Sequence, residues 1–129
     1  MDALSRVYEG LAPEGILLDL MPFEPWVPVE TADGARLANL DCREFARGAR
    51  AAQAELLSCG LFRLEEERFF DVLEHFENGP RLLEVVSTWG RTRVPKKLVS
   101  AVERAEPPFR VRERVVLRRL RALRQPRFA

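Results

Sequence analysis

The stretch from Pro13 to Pro22, P-E-G-I-L-L-D-L-M-P, constrains the fold of this chain more than any other. Pro13 and Gly15 mark a turn, Ile16 to Leu20 is apolar except for Asp19, and Pro22 closes the run. An apolar run this short, bounded by breakers, reads as a strand buried on both faces and not as a helix. Such a strand belongs inside a sheet, so its edges need neighbours.

The flanking segments supply candidates. Residues 2–9 form a short helical turn broken by Gly10 and Pro13. The segment F-E-P-W-V-P-V-E has prolines at 25 and 28, which predicts an edge strand or an extended loop. Ala32-Asp33-Gly34 is a tight-turn signal between Val27–Thr31 and Ala35–Leu40, a hairpin. Asp41 and Glu44 have capping-box spacing, with Leu40 and Phe45 placed as a hydrophobic staple. Phe45, Ala49, Ala52 and Leu56 then share one face of a helix over 42–59 that Gly60 ends.

Residues 62–76 admit two readings. As a helix they begin with Glu65–Glu67; as a strand, Phe70, Val72 and Phe76 share one face with Glu74, and Phe69 and Leu73 share the other. Asn78-Gly79-Pro80 leads into a helix with Leu82, Val85, Val86 and Trp89 as its buried stripe. Pro95 opens another, with Leu98, Val102 and Ala105 at helical spacing, and Pro107-Pro108 stops it. Val111 to Leu123 reads as a strand through Val111, Val115 and Leu117, although Val116, Leu120 and Leu123 also fit a helix. At 129 residues the expectation is a single domain, 1–129, of class α+β: one layer of mixed or mostly antiparallel sheet with packed helices.

Composition narrows the class of protein. Apolar content of 47% and charged content of 32% describe a globular chain and exclude a disordered one. No run reaches the ~18 apolar residues of a membrane span, and MDALSRVYEG lacks a secretory pattern, so the expected setting is the cytoplasm without a membrane. Cys42 and Cys59 stand alone and read as reduced thiols. His75 is the only histidine, which leaves no His/Cys metal cluster within one chain.

The turn L-x-P-x-G at Leu11–Gly15, followed by the strand I-L-L-D-L-M-P, resembles the start of the fifth strand in a class I S-adenosylmethionine-dependent methyltransferase. On that resemblance, Leu11–Pro22 matches the fifth strand, Arg63–Phe76 the sixth, and Arg110–Leu123 the seventh, which inserts antiparallel between them. It implies a C-terminal half lacking the cofactor-binding N-terminal half, since only about ten residues precede the motif. No two glycines stand two positions apart, so the family's cofactor loop has no counterpart. None of the family's functional residues carries over, no cofactor is implied, and activity as an enzyme by this chain alone is not expected.

A strand missing its usual neighbour leaves an edge to be closed by the 27–40 hairpin, by a second copy, or by a separate protein subunit. The leading expectation is a non-enzymatic assembly or accessory domain acting as a homodimer or as the complement of another subunit. Ile16, Leu18, Leu20 and Trp26 are its candidate interface residues.

Charge suggests an alternative. Residues 1–40 carry seven acids against Arg6 and Arg36, whereas 107–129 carry eight arginines against Glu113 alone. Arg112, Arg114, Arg118, Arg119 and Arg121 are candidates for binding an anion, with nucleic acid the less favoured partner. Equally, they can form a solvated strand face paired with Glu65–Glu67 or Asp71, with the acidic start and basic end of the chain side by side. A third reading is a small enzyme with a site across a dimer, using His75, Glu74 or Cys59. Glu65–Glu67 with Asp71 as a cation site, and Trp26 or Trp89 as pocket markers, complete the candidates, each set against an ordinary surface or core role.

Overall fold

The computed structural model describes residues 3–123. In chain order these form helix α1 (Ala3–Gly10), strands β1 (Ile16–Pro22), β2 (Trp26–Thr31) and β3 (Arg36–Asp41), and helix α2 (Arg43–Ser58). Strand β4 (Phe62–Phe76), helices α3 (Gly79–Ser87) and α4 (Lys96–Arg104), and strand β5 (Phe109–Ala122) follow. The described fold is mixed α+β, one open five-stranded sheet with antiparallel pairing throughout and four helices. Asp2, Arg124 and Arg127 lie outside the described residues.

Every strand except β3 pairs with β5. Along one edge of β5 runs β4, from Phe62 opposite Ala122 to Phe76 opposite Phe109, with a register shift between Leu64 and Glu66. Along the other edge lies β1, from Ile16 opposite Arg121 to Pro22 opposite Val115, and then β2, with Val29 opposite Val111 and Thr31 opposite Phe109. Phe23 N–H donates to the Arg114 carbonyl at 2.8 Å between them, so β1 and β2 are two halves of one broken strand. Pro22 and Pro25 break it because neither has an N–H to give the ladder.

The chain returns from β2 to β3 through the expected turn. Gly34 has φ 92°, a left-handed conformation that glycine adopts without a Cβ clash, and Thr31 N–H reaches the Ala35 carbonyl at 2.9 Å. Contrary to the edge-strand expectation, β2 lies between β5 and β3. Pro28 is tolerated because β2 contacts β5 only at Val29–Thr31.

Two apolar cores form on opposite faces of the sheet, at opposite ends of β5. In the first, Leu82 and Val86 of α3 and Leu98 and Val102 of α4 pack on Phe109 and Val111, joined by Val27, Val29 and Leu40 of the hairpin. In the second, Leu56 of α2 and Leu4 and Tyr8 of α1 pack with Leu17, Phe62 and Leu120. Successive residues of a strand point to opposite faces. Burial along β5 accordingly favours Phe109 and Val111 near its start and Val116, Arg118, Leu120 and Ala122 near its end, a change of parity within one strand.

The capping box does not form. Asp41 exchanges backbone hydrogen bonds with Arg93 at 2.9 Å each way, which holds it in extended geometry, and Cys42 becomes the N-cap. The Asp41 carboxylate instead accepts from the Arg43 backbone and guanidinium. The buried positions of α2 are Ala46, Ala49, Gln53 and Leu56, so Phe45 and Ala52 lie outside the expected stripe and Phe45 is no staple. The strand over Ile16–Pro22 is confirmed, but its two-faced burial is not: Ile16, Leu18 and Leu20 are exposed, and among the described residues no helix covers their side.

Leu98 and Leu120 are fully buried in different cores, Leu98 packed with Phe109 and Val111 of β5 and Leu120 within β5 itself. Leu98→Ala and Leu120→Ala should each cost about 2–5 kcal/mol by chemical denaturation. Because β5 belongs to both cores, each variant should still unfold in one transition; a separate transition for either core would show that β5 does not couple them.

Candidate functional site

The two helical layers cover diagonally opposite quarters of the sheet, which leaves one open half on each face. Residues directly paired in an antiparallel ladder share a face. Ile16, Leu18 and Leu20 therefore lie on the α3/α4 side with Leu117 of β5 and Phe70 and Val72 of β4. Among the described residues this half of that face carries no helix: Leu18 is 63% exposed, Leu20 54% and Ile16 45%. Trp26, also exposed, has the opposite parity to Val27 and Val29, so it lies on the α1/α2 side. The four candidate interface residues thus divide three to one between faces.

The outer edges of β1, β3 and β4 have no strand partner among the described residues, although β3 carries Arg36 and Asp41 and the isolated Asp41–Arg93 bridge. They are not equivalent. β4 carries Arg63, Glu65–Glu67, Arg68, Asp71 and Glu74 and a register shift, devices that discourage pairing with another chain. β1 carries a single charge, Asp19. It is the unguarded edge, and the hairpin, which lies beside it along β5, does not close it.

The open half of the α1/α2 side holds a cleft of about 380 Å³. Trp26 and Pro28 of β2, Arg36 and Asn39 of β3, and Arg112 and Arg114 of β5 line it, together with Glu24 and Asp71. The guanidinium of Arg43 stacks on the Trp26 ring, 4.7 Å from its centroid. Beside the cleft Arg114 lies over Phe69, and Phe69 meets Phe23 edge to face.

The arginines of β5 form a ladder across the sheet. Arg121 donates through Nε and Nη2 to Glu65, each at 3.0 Å, Arg119 pairs with Glu65 and Glu66, and Arg118 donates Nε to Glu67 at 2.7 Å. Arg112 and Arg114 share Asp71, and Arg110 and Arg112 converge on the buried Glu30. The acidic start and basic end of the chain do lie side by side, since Glu30 and Asp19 face β5 arginines. Of the five anion-binding candidates only Arg112 and Arg114 line the cleft; Arg118 is buried, and Arg119 and Arg121 share the open face of β1.

Environment divides the carboxylates. Burial pushes the Glu30 carboxyl up, but hydrogen bonds from Arg110 and Arg112 outweigh it and hold the group below the usual carboxylate range. The Arg112 hydrogen bond likewise lowers Asp71, and that of Arg121 lowers Glu65. Asp19 is raised by burial against the opposing charge of Arg118; its Oδ2 makes no hydrogen bond, and neither does Arg118 Nη1. Burial raises Glu113, and the charge of Glu74 adds to it.

The enzyme candidates are not brought together. Glu74 and His75 are successive on β4 and point to opposite faces, so Glu74 cannot orient the imidazole. Cys59 ends α2 and packs with the core at Phe62, while His75 adjoins Phe76, roughly 45 Å away along the strand. Cys42 and Cys59 are free thiols, and burial pushes that of Cys42 up. Trp89 packs against the first core. Among the described residues no group of three His, Cys, Asp or Glu side chains is placed to hold a metal, and Glu65–Glu67 and Asp71 face arginines.

Compared with protein-family models, curated proteins and solved structures, the chain matches none.

Sequence reasoning missed Arg36, Asn39 and Glu24 in the cleft, and Phe70 and Val72 on the open apolar half. Trp26, Pro28 and Glu30 at alternate positions do signal one shared face. The partner residues depend on the register of β5 against β2 and β4, which no local pattern encodes.

Opposite pH slopes should follow. Glu30 is lowered in the fold, so its contribution is present above the unfolded carboxylate pKa of about 4.3 and is lost as pH falls. Glu113 is raised, so its contribution is present below that value and is lost as pH rises through the folded pKa. Glu30→Gln should reduce stability at pH 7 and flatten the acid limb, whereas Glu113→Gln should raise stability at pH 7. Denaturant midpoints at pH 7 and pH 4 measure both; a loss of stability at pH 7 in Glu113→Gln would contradict the second assignment.

Proposed function

We propose that this chain is a non-enzymatic assembly domain that pairs with a second copy of itself through β1. One observation carries the reading: the unguarded edge strand also exposes Ile16, Leu18 and Leu20 on its uncovered face. Antiparallel pairing of β1 with its own copy about Leu18 places Leu18 opposite Leu18, Ile16 opposite Leu20, and Leu17 opposite Asp19. No like charges meet, and the exposed apolar side chains of both copies join in one stripe. A separate subunit supplying a complementary strand is the variant of this reading that the methyltransferase resemblance favours. What supports that resemblance is the position of β5 between β1 and β4 and antiparallel to both, as implied for the seventh strand among the fifth and sixth. A cytoplasmic setting belongs to the same proposal, with the free thiols as its support. Among the described residues, no helix is long and apolar enough to cross a membrane.

Light scattering should give twice the chain mass of 14.8 kDa at micromolar concentration and little dependence on salt. Leu18→Glu places like charges at the two-fold axis and should yield a folded monomer, with dimerisation weakened about a hundredfold or more. A monomeric wild type would end the self-pairing reading and turn attention to a separate subunit. A dimer unaffected by Leu18→Glu would move the interface away from β1.

A further inference from the structure

The cleft on the α1/α2 side belongs to the opposite face from the β1 stripe and plays no part in the assembly reading. Its chemistry is specific. The Arg36 side chain reaches it from β3 and engages no other side chain among the described residues. Arg112 uses Nε and Nη1 on Glu30 and Asp71, and Arg114 commits only Nη1, to Asp71. Arg114 therefore keeps Nε and Nη2 for a ligand, and Arg36 keeps its whole guanidinium. Against three arginines stand Glu24 and Asp71, and Asp71 is already shared by two of the arginines, which leaves the cleft cationic.

The remaining lining is aromatic and polar. Arg43 stacks on Trp26 but does not line the cleft, whereas the Trp26 side chain lines it and is 44% exposed. Pro28 follows two positions later on the same face of the strand. Asn39 sits directly opposite Pro28 and lines the cleft; its Oδ1 is shut off from solvent without a partner, so its amide Nδ2–H is the group left to meet a ligand. An aromatic ring, an amide donor and uncommitted guanidinium groups in about 380 Å³ match a planar ring that bears hydrogen-bond acceptors and an anionic group.

We propose that this cleft holds a nucleotide unit, with its base stacked on Trp26, an acceptor on the edge of the base at the Asn39 amide, and its phosphate held by Arg36 and Arg114. The unit comes either as a free nucleoside monophosphate or as one residue of a single strand, and the chemistry of recognition is the same for both. Arg36 supplies the charge-assisted contact most open to the phosphate, and Trp26 supplies the sequence-tolerant stacking surface.

The test is calorimetry on the full chain with AMP, CMP, GMP and UMP, the matching nucleosides, inorganic phosphate, and single strands of about five nucleotides. At least one monophosphate or strand should bind with Kd below ~1 mM, and its nucleoside and inorganic phosphate should bind about tenfold or more weakly. Arg36→Gln and Trp26→Leu should each weaken binding about tenfold. Both positions are exposed, circular dichroism checks that each variant is folded, and Arg36→Gln alone suffices if Trp26→Leu is not. Tighter binding of the strand assigns the unit to nucleic acid, and equal or weaker binding assigns it to free nucleotide; both sustain the proposal. Absence of binding by monophosphates and strands alike at ~1 mM overturns it, as does unchanged affinity in folded Arg36→Gln.

Discussion

β5 is the strand on which the rest of the molecule depends. Among the described residues it is the only strand partner of β1 and β4, and it links both to the hairpin. It also takes part in both cores, burying Phe109 and Val111 toward α3 and α4 and Leu120 and Ala122 toward α1 and α2. A strand that packed a single face would support one core and leave the other helices without a surface. The change of buried parity along β5 allows 129 residues to build two small cores, and its consequence is two uncovered half-faces on diagonal corners of the sheet. Both candidate functional surfaces are products of that one arrangement.

The charges follow from the same strand. An arginine at most outward positions of a central strand needs acidic neighbours on both sides, and β4 and β2 provide them at Glu65–Glu67, Asp71 and Glu30. The exposed pairs contribute little to stability, about 0–1 kcal/mol each. Their effect is on specificity, since shifting β4 by one residue against β5 would turn its acids toward the wrong face. Glu30 differs because it is buried and receives two guanidinium groups, whereas Asp19 and Glu113 are half-buried with less compensation and carry raised pKa values.

Local patterns in the sequence make the elements legible. The hairpin at Ala32–Gly34, the apolar strand at Ile16, the turn at Asn78 and the helix before Gly60 all follow from turn chemistry and periodicity over a few residues. What is not legible depends on contacts distant in sequence. Asp41 and Glu44 have the spacing of a cap, but Arg93 pairs with the backbone of Asp41 and moves the cap to Cys42. The strand at Ile16 looks buried on both faces because its composition is apolar, and composition does not say that the helices will leave the Leu18 side bare. The cleft is less legible still: Trp26, Asn39, Asp71 and Arg114 meet only through the registers of three ladders.

How two copies associate decides where their clefts point. If β1 pairs edge to edge with its copy, the two-fold axis is normal to the sheet, and the two sheets become one. A face then keeps its side across the axis, so both Trp26 clefts open in the same direction and form a common cationic surface, suited to a strand long enough to touch both. If instead the exposed leucines pack face to face, the axis lies between the sheets and the clefts open in opposite directions, so that each serves a small ligand independently. The physical difference lies in the backbone of β1. Edge pairing satisfies its free N–H and C=O groups and leaves Leu18 and Leu20 exposed in a doubled stripe, whereas face packing buries the stripe and leaves the edge open. Unpaired backbone at a solvated edge can bond water, but an apolar stripe cannot, so face packing relieves the larger hydrophobic exposure while edge pairing gives the stricter geometry. Protection of the β1 amides from hydrogen exchange on association therefore distinguishes a shared ligand surface from two separate ones.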